Sequence, residues 1–314
     1  MATQLRLGPL VAAALVATLT ACSDQRDRAP ESQHGPPTSA ASQATDRGTA
    51  DVGPGASAAR PHNAHQALTA LVASERVIAD PDAPVPALVR AARQQQLAYR
   101  AAAAHPGWDE AVLAGVPRSL RSEVRDNLAS RREFRAMHTD LADTLPAWRI
   151  VPPAPAEDLL RYYRRAERAY GIGWEYLAAI NLVETGMGRI RGTSVAGARG
   201  PMQFLPRTWA RWGRGDIDDP ADSILAAARY LAHDGGARPG HLDEALFRYN
   251  NSEHYVRGVT LLAKVMERRP RAFYGYYHWE IYYLTSRGDI RLPVGYDHDR
   301  PVPVARWLAA HPQP

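Results

Sequence analysis

The stretch Leu177–Leu205, LAAINLVETGMGRIRGTSVAGARGPMQFL, constrains this chain more than any other. Its first half has helical periodicity. Leu177, Ile180, Asn181 and Glu184 fall at i, i+3, i+4 and i+7, so Glu184 shares a stripe with two aliphatic residues. A carboxylate on an apolar stripe is costly unless it is paired or protonated. Gly186 and Gly188 follow and should stop the helix within a turn of Glu184. A helix C-terminus carries partial negative charge. Burial and the dipole therefore both push this carboxyl upward in pKa, toward what a general acid needs near neutral pH. The alternative is a glutamate of the last helical turn that faces solvent, and the residues downstream bear on the choice.

After the helix comes a Gly- and Arg-rich loop, then Gly200-Pro201-Met202-Gln203-Phe204, then Pro206 opening another short helix. The loop 186–200 lacks apolar periodicity and is expected to line a cleft. Read physically, Gly200 lets backbone approach a ligand, and Gln203 offers a donor and an acceptor to a sugar amide or hydroxyl. Met202 reads equally as a soft apolar contact or as core. Asp216, Asp218, Asp219 and Asp222 invite a reading as the second carboxylate of a glycosidase pair. Asp219-Pro220 is instead the start of a helix, with Asp219 as N-cap and Pro220 at the first helical position. Asp222 favours the same first turn through the dipole. The spacing lacks the alternation of an EF-hand loop, so calcium has no support.

The order Glu184-Thr185, Ser194-Val195-Ala196-Gly197, Gly200-Pro201-Met202-Gln203 and Tyr249-Asn250 resembles the soluble-type lytic transglycosylases, lysozyme-like enzymes that cleave peptidoglycan. That family reads Glu-Ser, Ser-Pro-Ala-Gly, Gly-Leu-Met-Gln and Ala-Tyr-Asn. This chain departs from it at Thr185, Val195, Pro201 and Arg248, and keeps the acid. The resemblance covers roughly 158–265. It implies an all-α, lysozyme-like fold and one carboxylate, Glu184, as both acid and base. It implies substrate contacts from Thr185, Ser194, Gly200, Met202, Gln203, Tyr249 and Asn250. The implied partner is the glycan strand of peptidoglycan, cut between N-acetylmuramic acid and N-acetylglucosamine to leave a 1,6-anhydro end. No cofactor and no metal is implied. A hydrolytic lysozyme of the same fold and a non-catalytic wall-binding lipoprotein are the rival readings.

The rest of the chain fits an exported enzyme. Residues 1–21 read as a lipoprotein signal peptide, with Arg6 before the apolar run Leu10–Leu19. That run is too short to span a bilayer. Leu19-Thr20-Ala21-Cys22 resembles a bacterial lipobox, and Cys22 is the only cysteine. Cys22 is expected to carry the lipid that holds the protein to a membrane, facing the cell wall; two or more acyl chains give stable anchoring. Residues 22–63 are rich in Ala, Pro, Gly, Ser and Thr and form an unstructured tether with an r.m.s. reach of roughly 35 Å. The net charge of +5 suits an acidic polymer, while no RNP, zinc-finger or helix-turn-helix pattern points to nucleic acid.

Residues 64–150 read as a helical region without chemistry of its own. Helices are expected over His65–Ala79, Val85–Ala104 and Ser119–Thr144, the last as one long helix or a pair. His105 and His138 read as surface or capping residues. IVPPAP, Ile150–Pro155, is an extended joint. The catalytic domain is expected over 155–270, with helices at Asp158–Tyr170, Trp174–Thr185, Pro220–His233, Asp243–Asn250 and Glu253–Arg268. Ser252 is the expected cap of the last of these. An aromatic-rich extension, 271–314, should contain a β-hairpin with Ser286-Arg287-Gly288-Asp289 between its strands. With 14 Tyr against 4 Phe, its aromatic run suits either stacking on sugars or packing of the hairpin.

Overall fold

A computed structural model describes residues 59–312 apart from Val195, all within one compact unit. The signal segment, the tether and Cys22 lie outside the described residues. Among the described residues no helix is long and apolar enough to cross a membrane.

The fold is mostly α. In chain order the N-terminal helices are α1 (Ala64–Ala79), α2 (Val85–Ala104), α3 (Asp109–Gly115) and α4 (Arg121–Ala136). Short strands β1 (Thr144–Leu145) and β2 (Arg149–Ile150) follow. Then come α5 (Ala156–Tyr170), α6 (Trp174–Thr185), β3 (Ile190–Arg191), α7 (Pro206–Trp212), α8 (Pro220–His233), α9 (Leu242–Asn250) and α10 (Glu253–Arg268). The chain closes with α11 (Ala272–Tyr277), β4 (Ile281–Thr285), β5 (Gly288–Leu292), β6 (Val302–Pro303) and α12 (Val304–Ala310).

Local chemistry explains the boundaries near the acid. Gly173 precedes α6, and Gly186, at φ 59, takes the left-handed conformation that ends it. The Asp219 side chain accepts from the Asp222 N–H at the start of α8, and Ser252 accepts from the Tyr255 N–H at the start of α10.

Two departures from the sequence reading have physical causes. The charged segment after Ser119 stays helical only from Arg121 to Ala136. Thr144 and Leu145 instead pair antiparallel with Pro303 and Val302, a partner far along the chain that local periodicity cannot reveal. In the tail, Phe273–Tyr277 is helical, and the hairpin turns at Ser286-Arg287, with Thr285 opposite Gly288. Gly288, at φ 95, supplies the left-handed residue that this turn needs.

The apolar core is continuous. It runs from Leu71 on α1 through Leu128 on α4, Leu177 on α6, Leu231 on α8 and Val259 on α10 to Phe273 and Trp279. The N-terminal helices thus bury their apolar faces in the same core as α6. A buried polar network stitches this contact. Tyr99 donates to Glu75 Oε1 at 2.6 Å, Gln95 donates to the same oxygen at 2.9 Å, and Trp279 donates to Gln95 Oε1 at 2.9 Å. A second apolar cluster holds Leu145, Trp148, Ile150, Ile190, Ile281, Tyr283 and Trp307, and so anchors the hairpin beside the segment that follows α6. The aromatic residues of the tail mostly pack: Phe273, Tyr276, Trp279 and Tyr283 are buried.

Candidate active site

Glu184 occupies the last turn of α6 and is only 1% exposed. Tyr255, in the first turn of α10, donates its hydroxyl to Glu184 Oε1 at 2.8 Å. Glu184 Oε2 is buried with no hydrogen-bond partner among the described residues. Burial pushes the Glu184 carboxyl up to about 8, and the Tyr255 hydrogen bond offsets only part of that. The group is therefore a protonated acid at neutral pH, with one oxygen held and the other free to carry a transferable proton. Among the described residues no cation pairs with it, and the Tyr255 hydrogen bond alone favours the ionised form.

Tyr249 lies behind Tyr255, their rings nearly parallel at 10° and 6.4 Å between centroids. Its hydroxyl donates to the Met202 carbonyl at 2.6 Å. Burial, and then the Glu184 carboxylate where it is ionised, push both phenols well above their usual range, so both remain donors. A line of contacts thus connects the Met202 turn through Tyr249 and Tyr255 to the acid.

The structure divides the other expected contact residues. Thr185 is fully buried; its hydroxyl donates to the Pro201 carbonyl at 2.6 Å and accepts from the Gly188 N–H at 3.0 Å. It fixes the Gly200–Gln203 turn against α6 and is closed to a ligand. Asn181 joins the same clasp, donating to the Pro201 carbonyl at 2.8 Å and accepting from Tyr163 at 2.6 Å. Met202 is core, which resolves its double reading. Gly200, at φ 78, is where the Ile217 carbonyl occupies the space of a Cβ. Its bareness therefore serves backbone packing and not ligand approach. Gln203, at φ 49, folds its amide back onto the Gly200 carbonyl at 3.1 Å. Ser194 Oγ accepts from the Ala198 N–H at 3.0 Å and braces its own loop. Asn250 is buried at the end of α9, and its Nδ2 has no partner among the described residues.

The aspartates act as the sequence indicates. Asp219 caps α8, Asp222 accepts from the Asp216 N–H at 2.9 Å, and Asp218 pairs with Arg199.

A cleft of about 190 Å³ opens at the end of α6, lined by the neighbours of Glu184 in the chain and by Tyr255 but not by the buried Glu184 itself. Leu182, Val183 and Gly186 of the α6 end form one side, and Tyr255 and Leu262 of α10 lie alongside. From the loop expected to line it, only Gly186 and Ile190 take part; the rest of the lining comes from α2, α4 and the residues from Trp279 into the hairpin. Gln203 and Tyr249 instead line a second, much smaller pocket with Phe204, Tyr230 and Arg248.

Tyr255 is the functional residue that sequence reasoning missed. Its signal was present: Tyr255, Val259 and Leu262 fall at i, i+4 and i+7, so the phenol lies on the core face of α10 and its hydroxyl needs a buried partner.

Comparison with known proteins places this arrangement. Residues 161–267 match the family model described as "Transglycosylase SLT domain". Three relatives are named membrane-bound lytic murein transglycosylase F. One from Thiobacillus denitrificans is 32% identical over 127 residues, 38% of this chain and 27% of that protein. Another from Nitrosospira multiformis is 30% identical over 145 residues, 44% of this chain and 29% of that protein. A third, numbered F 1 and from Alkalilimnicola ehrlichii, is 28% identical over 137 residues, 42% of this chain and 25% of that protein. The chain thus spans between a quarter and a third of the length of these relatives. The acid helix, the Met202 turn and the Tyr249-Tyr255 pair all fall within the matched segment, and residues 161–267 of this chain are a soluble-type (SLT) transglycosylase domain.

Proposed function

We propose that the protein is a peptidoglycan lytic transglycosylase that cuts the β-1,4 bond between N-acetylmuramic acid and N-acetylglucosamine without water, with Glu184 as its one acid and base. The observation that carries this reading is the state of Glu184: buried, protonated at neutral pH, held at Oε1 by Tyr255 and unpartnered at Oε2. The names of the relatives and the matched domain support the substrate class.

The steps balance around that single carboxyl. Glu184 gives its proton to the glycosidic oxygen as the bond to C1 of the muramic sugar breaks. The sugar's own 2-acetamido group stabilises the electron-poor C1. The Glu184 carboxylate then takes the proton of the 6-hydroxyl, whose oxygen closes on C1 to form the 1,6-anhydro ring. The carboxyl ends protonated, ready for another cycle, and the products are together no heavier than the substrate. A carboxyl with pKa near 8 suits both halves, since it is neither too weak an acid to give the proton nor too weak a base to take one. That the nearby aspartates are engaged as caps and loop ties supports one carboxylate over two. Asn250 Nδ2 is a buried donor available for a sugar oxygen or amide carbonyl. Lipid attachment at Cys22, with residues 22–63 as the tether, would hold the enzyme beside the wall.

The test is Glu184→Gln beside Asp219→Asn. The first keeps shape and removes the transferable proton, and should lose nearly all release of anhydromuropeptides, since acid–base assistance contributes ~10²–10⁴ in rate. The second keeps a capping side chain and should remain active. The reverse outcome would mean that the wrong carboxylate is named.

A further inference from the structure

Much of the cleft that Tyr255 lines is built outside the matched domain, from α2, α4 and the β4–β5 hairpin, and this part is cationic. Five charged side chains line the cleft: Arg100, Arg131, Arg135, Glu280 and Asp289. The two acids are neutralised within the fold. Asp289 takes Arg100 in a two-point pair, Nη2 to Oδ1 at 2.6 Å and Nε to Oδ2 at 2.9 Å, and the same guanidinium lies over the Tyr282 ring. Glu280 takes Arg291 at 3.1 Å and Arg93 at 3.4 Å. Arg131 and Arg135 remain. Arg131 is half-buried and makes no hydrogen bond or ion pair among the described residues. Burial and the neighbouring Arg100 push it down to about 9 against the opposing pull of Asp289, which Arg100 already occupies, so its charge is carried at a cost that a further anion would relieve.

Its place relative to the acid is fixed by helix packing. The preceding residue, Ser130, donates to the Gly258 carbonyl at 2.9 Å, and the Phe134 ring fills the space where Gly258 lacks a Cβ. Gly258 is three residues after Tyr255 on α10. Arg131, next to Ser130 on α4, thus lines the same cleft as Tyr255, the tyrosine that holds Glu184.

We propose that Arg131, with Arg135 beside it, is a carboxylate-recognition subsite for the peptide substituents of the glycan strand. This rests on the function proposed above. In peptidoglycan the peptides hang from the muramic sugar, one half of the bond to be cut, and they carry free carboxylates. A half-buried guanidinium with open donors matches a carboxylate better than it matches neutral sugar hydroxyls. The N-terminal helices and the hairpin would then contribute substrate selection to the domain they pack on.

The experiment compares full-length wild type, Arg131→Gln and Arg131→Lys on three substrates: intact glycan strands, strands stripped of peptide by an amidase, and strands whose carboxylates have been converted to amides. Binding by cosedimentation and cleavage are both measured, and thermal melts check the fold. Wild type should bind and cleave intact strands about tenfold or more better than stripped or amidated ones, the scale of one charge-assisted hydrogen bond. Arg131→Gln should lose that preference, its cleavage and binding of intact strands falling about tenfold further than those of stripped strands, and Arg131→Lys should restore part of it. Equal binding of all three strands by wild type overturns the subsite and leaves the proposed reaction intact. Uniform loss on every substrate in Arg131→Gln overturns it too, since that is a structural effect. If wild type cleaves nothing but its binding still depends on Arg131 and on free carboxylates, the subsite stands and the proposed reaction falls.

Discussion

Tyr255 donates its hydroxyl to Glu184 Oε1 at 2.8 Å, across the contact between the first turn of α10 and the last turn of α6. Among the described residues it is the one side-chain hydrogen bond to the acid, and it favours the ionised form against the pull of burial.

Tyr255→Phe removes that bond and nothing else in shape. The Glu184 carboxyl should titrate above its present value of about 8, because the offset to burial is lost. Since the first half-reaction needs the protonated acid, activity is present below this pKa and falls above it. The alkaline limb of kcat/KM should therefore move to higher pH, with turnover down roughly tenfold from poorer orientation of the carboxyl. A pH–rate profile checks this. A lower rate with an unmoved limb would make Tyr255 a packing residue only.

Glu184→Gln should change how stability responds to pH. The folded carboxyl titrates at about 8, above its ordinary 4.5, so its contribution is fully present below pH 4.5 and is lost as pH rises through about 8. The glutamine variant lacks this loss. Its stability relative to wild type should increase across that window and then level off, by at most about 5 kcal/mol for the full shift. Urea unfolding at about pH 5 and about pH 9 measures the change. A constant difference between the two proteins would show that Glu184 is ionised in the folded state.

Much of this site was legible in the chain, for local reasons. Gly173 and Gly186 bracket α6, and the i, i+3, i+7 stripe puts Glu184 on its buried side. Asp219 and Ser252 are caps that a reader can find from neighbours three residues away. What was not legible depends on distant segments. Thr185 and Met202 belong to the motif but face inward, because the Gly200–Gln203 turn is clasped to α6 and to Tyr249. Periodicity says that Gly200 is bare; only the fold shows the Ile217 carbonyl in that space. The cationic wall joins α4 to a hairpin more than a hundred residues further on, and no local pattern reports such a meeting.

Gly200 and Gly197 separate backbone strain from collision. Both have positive φ, 78 and 83, but an added Cβ meets the Ile217 carbonyl at Gly200 and open space at Gly197. Gly197→Ala should cost ~1–2 kcal/mol from conformation alone. Gly200→Ala adds a clash with backbone and should cost about 3 kcal/mol or more. Denaturant midpoints for the pair decide the matter, and equal costs would contradict the packing described.

Cys22→Ser tests the anchor. Without the thiol no lipid can be attached, so the variant should accumulate as an uncleaved, slower-migrating precursor and leave the detergent phase that holds the wild type. Identical partition of the two proteins would remove the lipidation reading.

The most direct test of the central claim is the mass of the products released from purified glycan strands by wild-type protein in heavy-oxygen water. Glu184 acting alone, with the 6-hydroxyl as nucleophile, predicts muramic ends one water lighter than hydrolysis would give, with no heavy oxygen incorporated. Products that carry one heavy oxygen at C1 would show that water attacks the sugar, and would contradict the account.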